Sequence, residues 1–153
     1  MEMYHFVTKW FFNAPIEKVW KEIEDVESWP TWWQDWRMTA IRGPESKAQL
    51  GSVVDCAVRG SLPYTLRFSM EITSLEPPTH SEYESSGDLA GSGKWVLEAQ
   101  NDGTAVTYYW DVGTTNPIFN ILGKLSFVRA MMEKNHNEVM ARGYHGLESW
   151  LEG

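Results

Sequence analysis

Residues 64–75, YTLRFSMEITSL, alternate between apolar and polar side chains without a break. A period of two is typical of an antiparallel strand with one face in the core and the other in water. Such a strand needs neighbouring strands and an element that covers its apolar face. The rest of the chain therefore has to supply both. The apolar set is Tyr64, Leu66, Phe68, Met70 and Ile72.

Strand-like segments of the same kind occupy most of the chain. Residues 4–12 are rich in aromatic and β-branched side chains, and residues 51–60 place Val54, Cys56 and Val58 on one face. NDGT at 101–104 is a strong hairpin signal between two further alternating segments. We expect about seven strands, joined mainly by hairpins, in one antiparallel sheet.

Two regions change to the period of a helix. After the first strand, NAPIEKVWKEIEDV (13–26) carries apolar residues at helical spacing, and Pro15 suits the first helical position. This region predicts a pair of short helices that ends near residues 27–30. Residues 117–151 form a second periodic region, but one straight helix of that length, about 50 Å, is too long for so small a globule. We expect a break near 123–126 and a long final helix.

Composition and charge exclude several classes of partner. The chain has 153 residues, the common size of one domain, so we treat 1–153 as a single unit. Its net charge of −8 disfavours nucleic acid and anionic membranes, and no apolar run reaches the ~20 residues of a membrane span. No signal peptide is visible, and Cys56 is the only cysteine, so a cytoplasmic location is expected.

The long final helix is the only element available to cover the sheet. A strongly bent sheet cannot lie flat against one helix, so a space remains between them. Large side chains or a ligand must fill it, and a ligand cavity would measure roughly 300–1,000 Å³. The aromatic share of 14%, with nine tryptophans, suits either a bulky core or a hollow lined with rings.

Six motifs carry a resemblance to a known superfamily over nearly the whole chain. They are APIEKVW (14–20), WPTWW (29–33), LPYTLRF (62–68), SGDLAGSGKW (86–95), WDVGTTNP (110–117) and NHNEVMARG (135–143). The chain resembles the START-like helix-grip (SRPBCC) superfamily, and most of all its polyketide cyclase/dehydrase and lipid-transport branch.

The resemblance implies an α+β helix-grip fold. A curved antiparallel sheet of about seven strands would wrap on a long C-terminal helix, with two short helices after strand 1. Proteins of this superfamily bind apolar small molecules under the long helix, and a minority catalyse reactions there. The resemblance therefore implies a pocket rather than a particular reaction.

The final helix offers the most informative polar residues. Met132, Asn135 and His136 lie at helical spacing on or beside its apolar stripe. A buried polar group costs ~1–3 kcal/mol unless it is hydrogen-bonded. Asn135 and His136 could orient a ligand, His136 could transfer a proton near neutral pH, or both could clamp the helix to the sheet.

Aromatic residues supply the other candidates. The stretch SWPTWWQDW (28–36) holds four tryptophans. We interpret Trp29 and Trp32 as a plug at one end of the sheet, whereas Trp36 begins a strand and could equally face a cavity. By strand parity Tyr64, Tyr83 and Tyr108 face inward, where their hydroxyls could anchor a ligand or only complete the packing.

These observations lead to a binding hypothesis with two alternatives. The chain is expected to bind a small apolar or aromatic molecule, lipid- or polyketide-like, without a cofactor; the histidines lack metal-ligand spacing. The alternatives are a polyketide cyclase/dehydratase-type enzyme, with His136 or a cavity tyrosine in proton transfer, and an interaction or stress protein whose core is filled. The candidate ligand-binding residues are Trp36, Tyr64, Phe68, Tyr83, Trp95, Tyr108, Trp110, Met132, Asn135 and His136, and His136 is also the candidate catalytic residue.

Overall fold

Seven antiparallel strands form one sheet in the computed structural model, which describes residues 3–43, 48–60, 65–115 and 126–152. The order across the sheet is β1-β7-β6-β5-β4-β3-β2, so the first strand closes against the last and every other neighbour is consecutive in sequence. The strands are β1 (Met3–Phe12), β2 (Trp36–Ile41), β3 (Val53–Val58), β4 (Leu66–Glu76), β5 (His80–Gly87), β6 (Leu89–Gln100) and β7 (Gly103–Thr114).

The alternation in the sequence is reproduced by burial along the strands. In β4, Phe68, Met70 and Ile72 are buried, whereas Arg67 and Glu71 are exposed. Tyr64 lies outside the described residues. The predicted hairpin at 101–104 is present: β6 and β7 pair to their ends around a two-residue turn in which Asn101 has a φ of 55°. Asparagine tolerates this left-handed conformation better than most residues.

The sheet is curved, as expected. Register shifts between Trp36 and Met38 and between Ile72 and Ser74 interrupt the ladders of β2 and β4. An extra residue at such a point bends the strand and increases its twist. The apolar faces consequently line the inside of the curve.

The helices follow the predicted order. α1 (Ile16–Glu24) and α2 (Trp29–Trp32) flank a 3₁₀ turn (Val26–Ser28), and a long helix, α3 (Ser126–Glu152), ends the chain. Pro15 is the residue just before α1 rather than its first residue, and its carbonyl accepts bonds from the next turn. The break predicted near 123–126 falls largely on residues 116–125, outside the described residues. The prediction of a helix-grip fold is confirmed.

The four tryptophans between residues 29 and 36 are all buried, and Trp32 and Trp33 lie against the C-terminal half of α3. We call residues 29–36 the indole anchor. The Trp33 Nε1 donates a hydrogen bond of 2.9 Å to the carbonyl of Val139. Trp33 and the backbone of Trp32 also approach two helix glycines closely. A Cβ on Gly143 would lie 2.4 Å from the Trp33 ring, and one on Gly146 would lie 1.8 Å from the Trp32 carbonyl oxygen.

An ion pair reinforces this junction. Asp35, which is buried, accepts hydrogen bonds on both carboxylate oxygens from Nε of Arg142, each 3.0 Å long. The indole anchor is therefore joined to α3 by a backbone contact, an indole hydrogen bond and a charge pair.

Replacement of Gly146 by alanine should destabilise the protein. At an unhindered helix position, alanine is more favourable than glycine by about 1 kcal/mol, but this position is not unhindered. The added methyl would collide with the Trp32 carbonyl, and overpacking of this kind costs about 1–3 kcal/mol. Urea unfolding would measure the loss. Ser149→Ala, at an exposed position of α3, is the matched control and should be nearly neutral. A more stable Gly146→Ala variant would contradict the close contact.

Candidate functional site

A cavity lies between the sheet and the N-terminal half of α3. Its volume is about 60 Å³ as bounded by the described residues, which is well below the expected 300–1,000 Å³. The indole anchor explains the difference, because it occupies the gap beside the other half of the helix. The cavity is lined by Tyr4, Phe6, Val58, Leu66, Leu89, Trp110, Val112, Gly113, Thr114, Met132, Asn135, His136 and Val139.

His136 is the most unusual residue of this cavity. Its side chain is buried, with only 5% of its surface exposed, and its ring stacks on Phe6 with centroids 3.6 Å apart. Trp110 lies on another side of the ring, at 5.3 Å between centroids. Among the described residues, neither Nδ1 nor Nε2 of His136 has a hydrogen-bond partner.

The apolar surroundings control the charge of His136. Burial removes the imidazolium from water and lowers the pKa of His136 from 6.5 to about 4. The ring is therefore neutral at pH 7. A neutral imidazole offers one N–H donor and one acceptor, so it can both give and receive a hydrogen bond.

Trp110 adds a second polar group to the same wall. It lines the cavity from β7, and its indole Nε1 is buried without a hydrogen-bond partner in the described part of the chain. Buried polar groups in native proteins are nearly always satisfied. The neighbouring residues Trp110 and His136 thus bring three such ring nitrogens to one apolar cavity.

Two of the candidate tyrosines satisfy each other. The hydroxyls of Tyr83 and Tyr108 form a hydrogen bond, and both side chains are buried. Burial is the main cause that raises the pKa of each hydroxyl. Tyr108 also stacks on Trp95, with centroids 4.0 Å apart. This pair is a packed polar element of the core rather than an open anchor.

The ten candidate ligand-binding residues are thus divided between three places. Trp110, Met132, Asn135 and His136 line the cavity. Tyr83 and Trp95 border a separate space of about 20 Å³ near α1. Trp36, Phe68 and Tyr108 belong to the buried core and do not border the cavity, and Tyr64 is outside the described residues.

Several lining residues were not among the candidates. Tyr4 and Phe6 share a face of β1 with Trp10 and Phe12, so strand parity could have added them. The stretch Val112–Thr114 enters the cavity because it pairs with the ends of β1 and β6. No local signal in the sequence marks that pairing.

Other chemistry has little support in the described ranges. Cys56 is buried and free, and burial raises the pKa of its thiol, which disfavours the nucleophilic thiolate. No group of three His, Cys, Asp or Glu side chains in these ranges could hold a metal ion. None of the helices described here has the length and hydrophobicity that crossing a bilayer requires.

Three solved structures share this architecture over nearly the whole of both chains. The Zhui aromatase/cyclase from Streptomyces sp. R1128 has a TM-score of 0.75 at 17% identity, over 99% of this chain and 94% of that one. A START superfamily protein from Mycobacterium smegmatis has a TM-score of 0.72 at 15% identity, over 98% and 97%. Protein TTHA0849 from Thermus thermophilus has 0.74 at 19%, over 95% and 98%.

The fold and the cavity under α3 define a helix-grip protein of the START-like class. The model of the polyketide cyclase/dehydrase and lipid transport family matches residues 3–152, so the chain belongs to that family. Proteins of this family bind hydrophobic ligands or act as polyketide aromatase/cyclases. No curated protein is significantly similar to this chain in sequence.

The buried, neutral His136 should make stability depend on pH. The unfolded chain binds a proton on this ring near pH 6.5, whereas the folded chain resists protonation until about pH 4. As the pH is lowered from 6.5 to 4, the free energy of unfolding of the wild-type protein should therefore fall by about 3 kcal/mol relative to that of His136→Phe. Denaturant unfolding at several pH values would measure the difference. His145→Phe, which removes an exposed histidine of α3, is the control and should show the same pH dependence of the unfolding free energy as the wild-type protein. If His136→Phe also showed that dependence, the lowered pKa of His136 would be contradicted.

The tyrosine pair predicts a non-additive double substitution. Tyr83→Phe leaves the Tyr108 hydroxyl buried without its partner and should cost about 1–3 kcal/mol of stability. Adding Tyr108→Phe removes the stranded hydroxyl and should recover much of that loss. Thermal or urea unfolding of both single variants and the double variant would give the coupling energy. Additive losses would show that the two hydroxyls do not depend on each other.

Proposed function

We propose that this chain binds a small aromatic molecule in the cavity under α3, with His136 and Trp110 as its polar contacts. The observation that carries the proposal is the pair of unpartnered His136 nitrogens beside an apolar cavity. An unsatisfied buried polar group costs about 1–3 kcal/mol. A guest with a hydroxyl or carbonyl group would remove that cost on binding.

The shape and chemistry of the walls support an aromatic guest. Phe6, Trp110 and His136 present flat rings, and aromatic rings prefer offset-stacked or edge-to-face neighbours. Aliphatic walls such as Val58, Leu66 and Leu89 would contribute apolar area at roughly 25 cal/mol per Å² buried.

The volume argues for a ring rather than a long acyl chain. At about 10–15 Å³ for one water-sized sphere, a cavity of about 60 Å³ holds only about four to six waters. Met132 in the wall is unbranched and adaptable, so the cavity can adjust to guests of somewhat different shape. Even one phenol-like ring, such as a ring of an aromatic polyketide, is larger than this volume, so its binding requires the cavity to widen, with Met132 as the adaptable wall.

The enzyme alternative uses the same residue. Neutral His136 could accept a proton from a bound polyketone, in the manner of a cyclase or dehydratase. A general base acts best when its pKa lies near the working pH, and the pKa of His136 is about 4. No hydrogen bond from another described residue orients its ring. Both features favour binding over proton transfer.

Phenol and toluene test the polar contact, because the two have the same number of heavy atoms and differ only in a hydroxyl or methyl group. Phenol should bind the wild-type protein more tightly than toluene. In His136→Phe, which retains a ring against Phe6, the preference should fall by about three- to tenfold. NMR titration of the protein would measure both affinities.

His145→Phe provides the control, because it makes the same substitution at an exposed position of α3. It should leave both affinities unchanged. Failure of both probes to bind the wild-type protein would contradict the binding function. An unchanged phenol preference in His136→Phe would remove His136 from the site.

A further inference from the structure

A second pocket, distinct from the cavity, opens where β2, β3 and α3 meet. We call it the arginine pocket; its volume is about 310 Å³. It contains three guanidinium groups and one carboxylate, although the chain as a whole carries a net charge of −8. It is lined by Gln34, Asp35, Arg37, Arg59, Gly60 and Arg142.

The charges in the arginine pocket do not cancel. The Nε of Arg142 donates hydrogen bonds to both carboxylate oxygens of Asp35, so these two charges compensate each other. Arg37 and Arg59 are exposed, and within the described ranges neither side chain has a hydrogen bond or an ion pair. Elsewhere, Arg42 and Arg129 pair with carboxylates. The arginine pocket therefore has two uncompensated positive charges.

The two arginines start from neighbouring strand ends. Trp36 at the start of β2 pairs with Val58 at the end of β3. Arg37 follows Trp36 and Arg59 follows Val58, so the two arginines come from adjacent strand ends. The backbone N–H of Arg59 also donates a 2.7 Å hydrogen bond to the carbonyl of Asp35. Their side chains thus start from fixed neighbouring positions, although each remains in solvent.

One glycine separates the arginine pocket from the apolar cavity. A Cβ on Gly60 would lie 2.7 Å from Oδ1 of Asn135 and 2.8 Å from Cγ2 of Val139. Asn135 and Val139 line the apolar cavity, and Gly60 lines the arginine pocket. The two spaces are therefore adjacent, and the contact of Gly60 with these side chains forms part of the wall between them.

We propose that the molecule bound in the cavity has an anionic end, a carboxylate or a phosphate, which Arg37 and Arg59 bind in the arginine pocket. This inference rests on the binding function proposed above and narrows its ligand to an amphiphile. The planar guanidinium fork matches both kinds of anion. The anionic end reaches the two arginines when the Asn135 side chain moves away from Gly60, which it contacts in the structure. Exposure to water keeps the gain modest and sensitive to salt.

The test compares 3-(4-hydroxyphenyl)propanoate with its neutral amide, which has the same ring, hydroxyl and chain. The acid should bind the wild-type protein about fivefold more tightly, as expected for two exposed charge pairs. The double variant Arg37→Gln/Arg59→Gln should bind the two compounds equally. Lys9→Gln/Arg67→Gln removes two exposed charges outside both pockets and should keep the preference for the acid.

Inorganic phosphate distinguishes a ligand's anionic end from a free anion. It should compete with the acid and not with the amide. Equal affinities for acid and amide in the wild-type protein, or a preference for the acid that survives in Arg37→Gln/Arg59→Gln, would overturn the inference. So would phosphate binding that depends on the two arginines without any preference for the acid. In each of these cases the phenol and toluene comparison still decides the proposed function separately.

Discussion

The structure depends on one geometric constraint: among the described elements, one long helix crosses the inner face of a bent seven-stranded sheet, and the short α1 packs beside it. Helix and sheet diverge, so the gap between them must be filled or left open. The indole anchor fills it along the C-terminal half of α3, where Gly143 and Gly146 let Trp32 and Trp33 approach the helix directly. Beside the N-terminal half, along the turns from Met132 to Val139, the described residues leave the gap open as the cavity.

The polar groups within this interior show two different solutions to burial. Tyr83 and Tyr108 bond to each other, so their hydroxyls are satisfied within the core. His136 has apolar rings around it and no hydrogen-bond partner among the described residues, and it remains neutral because its charged form is too costly there. The first arrangement contributes to folding alone. The second leaves binding capacity for a guest, and this is why the proposed function centres on His136.

Much of the fold was predictable, because it follows from periodicity and from local turn chemistry. The alternation in β4, the hairpin at 101–104 and the helical spacing of α3 each arise from neighbouring residues in sequence. The placement of Met132, Asn135 and His136 beside the sheet followed from the same spacing.

The cavity itself was less predictable, because its boundaries depend on contacts between distant segments. Parity places Tyr108 and Trp110 on one face of β7, but it cannot tell that Tyr108 is covered by Trp95 while Trp110 borders open space. The expected volume was too large because the depth to which the indole anchor enters the gap depends on two glycines more than a hundred residues away. The arginine pocket likewise depends on contacts between β2, β3 and α3.

The division of α3 into two halves has a consequence for how this protein can change over time. The turns that bear Gly143 and Gly146 hold the chain in its folded form, whereas the turns that bear Met132 and His136 meet whatever occupies the hollow. Under the proposed function, mutations in the earlier turns would change which guest is bound and leave the junction at the two glycines in place. That arrangement separates the residues that would choose a ligand from those that hold the helix to the sheet.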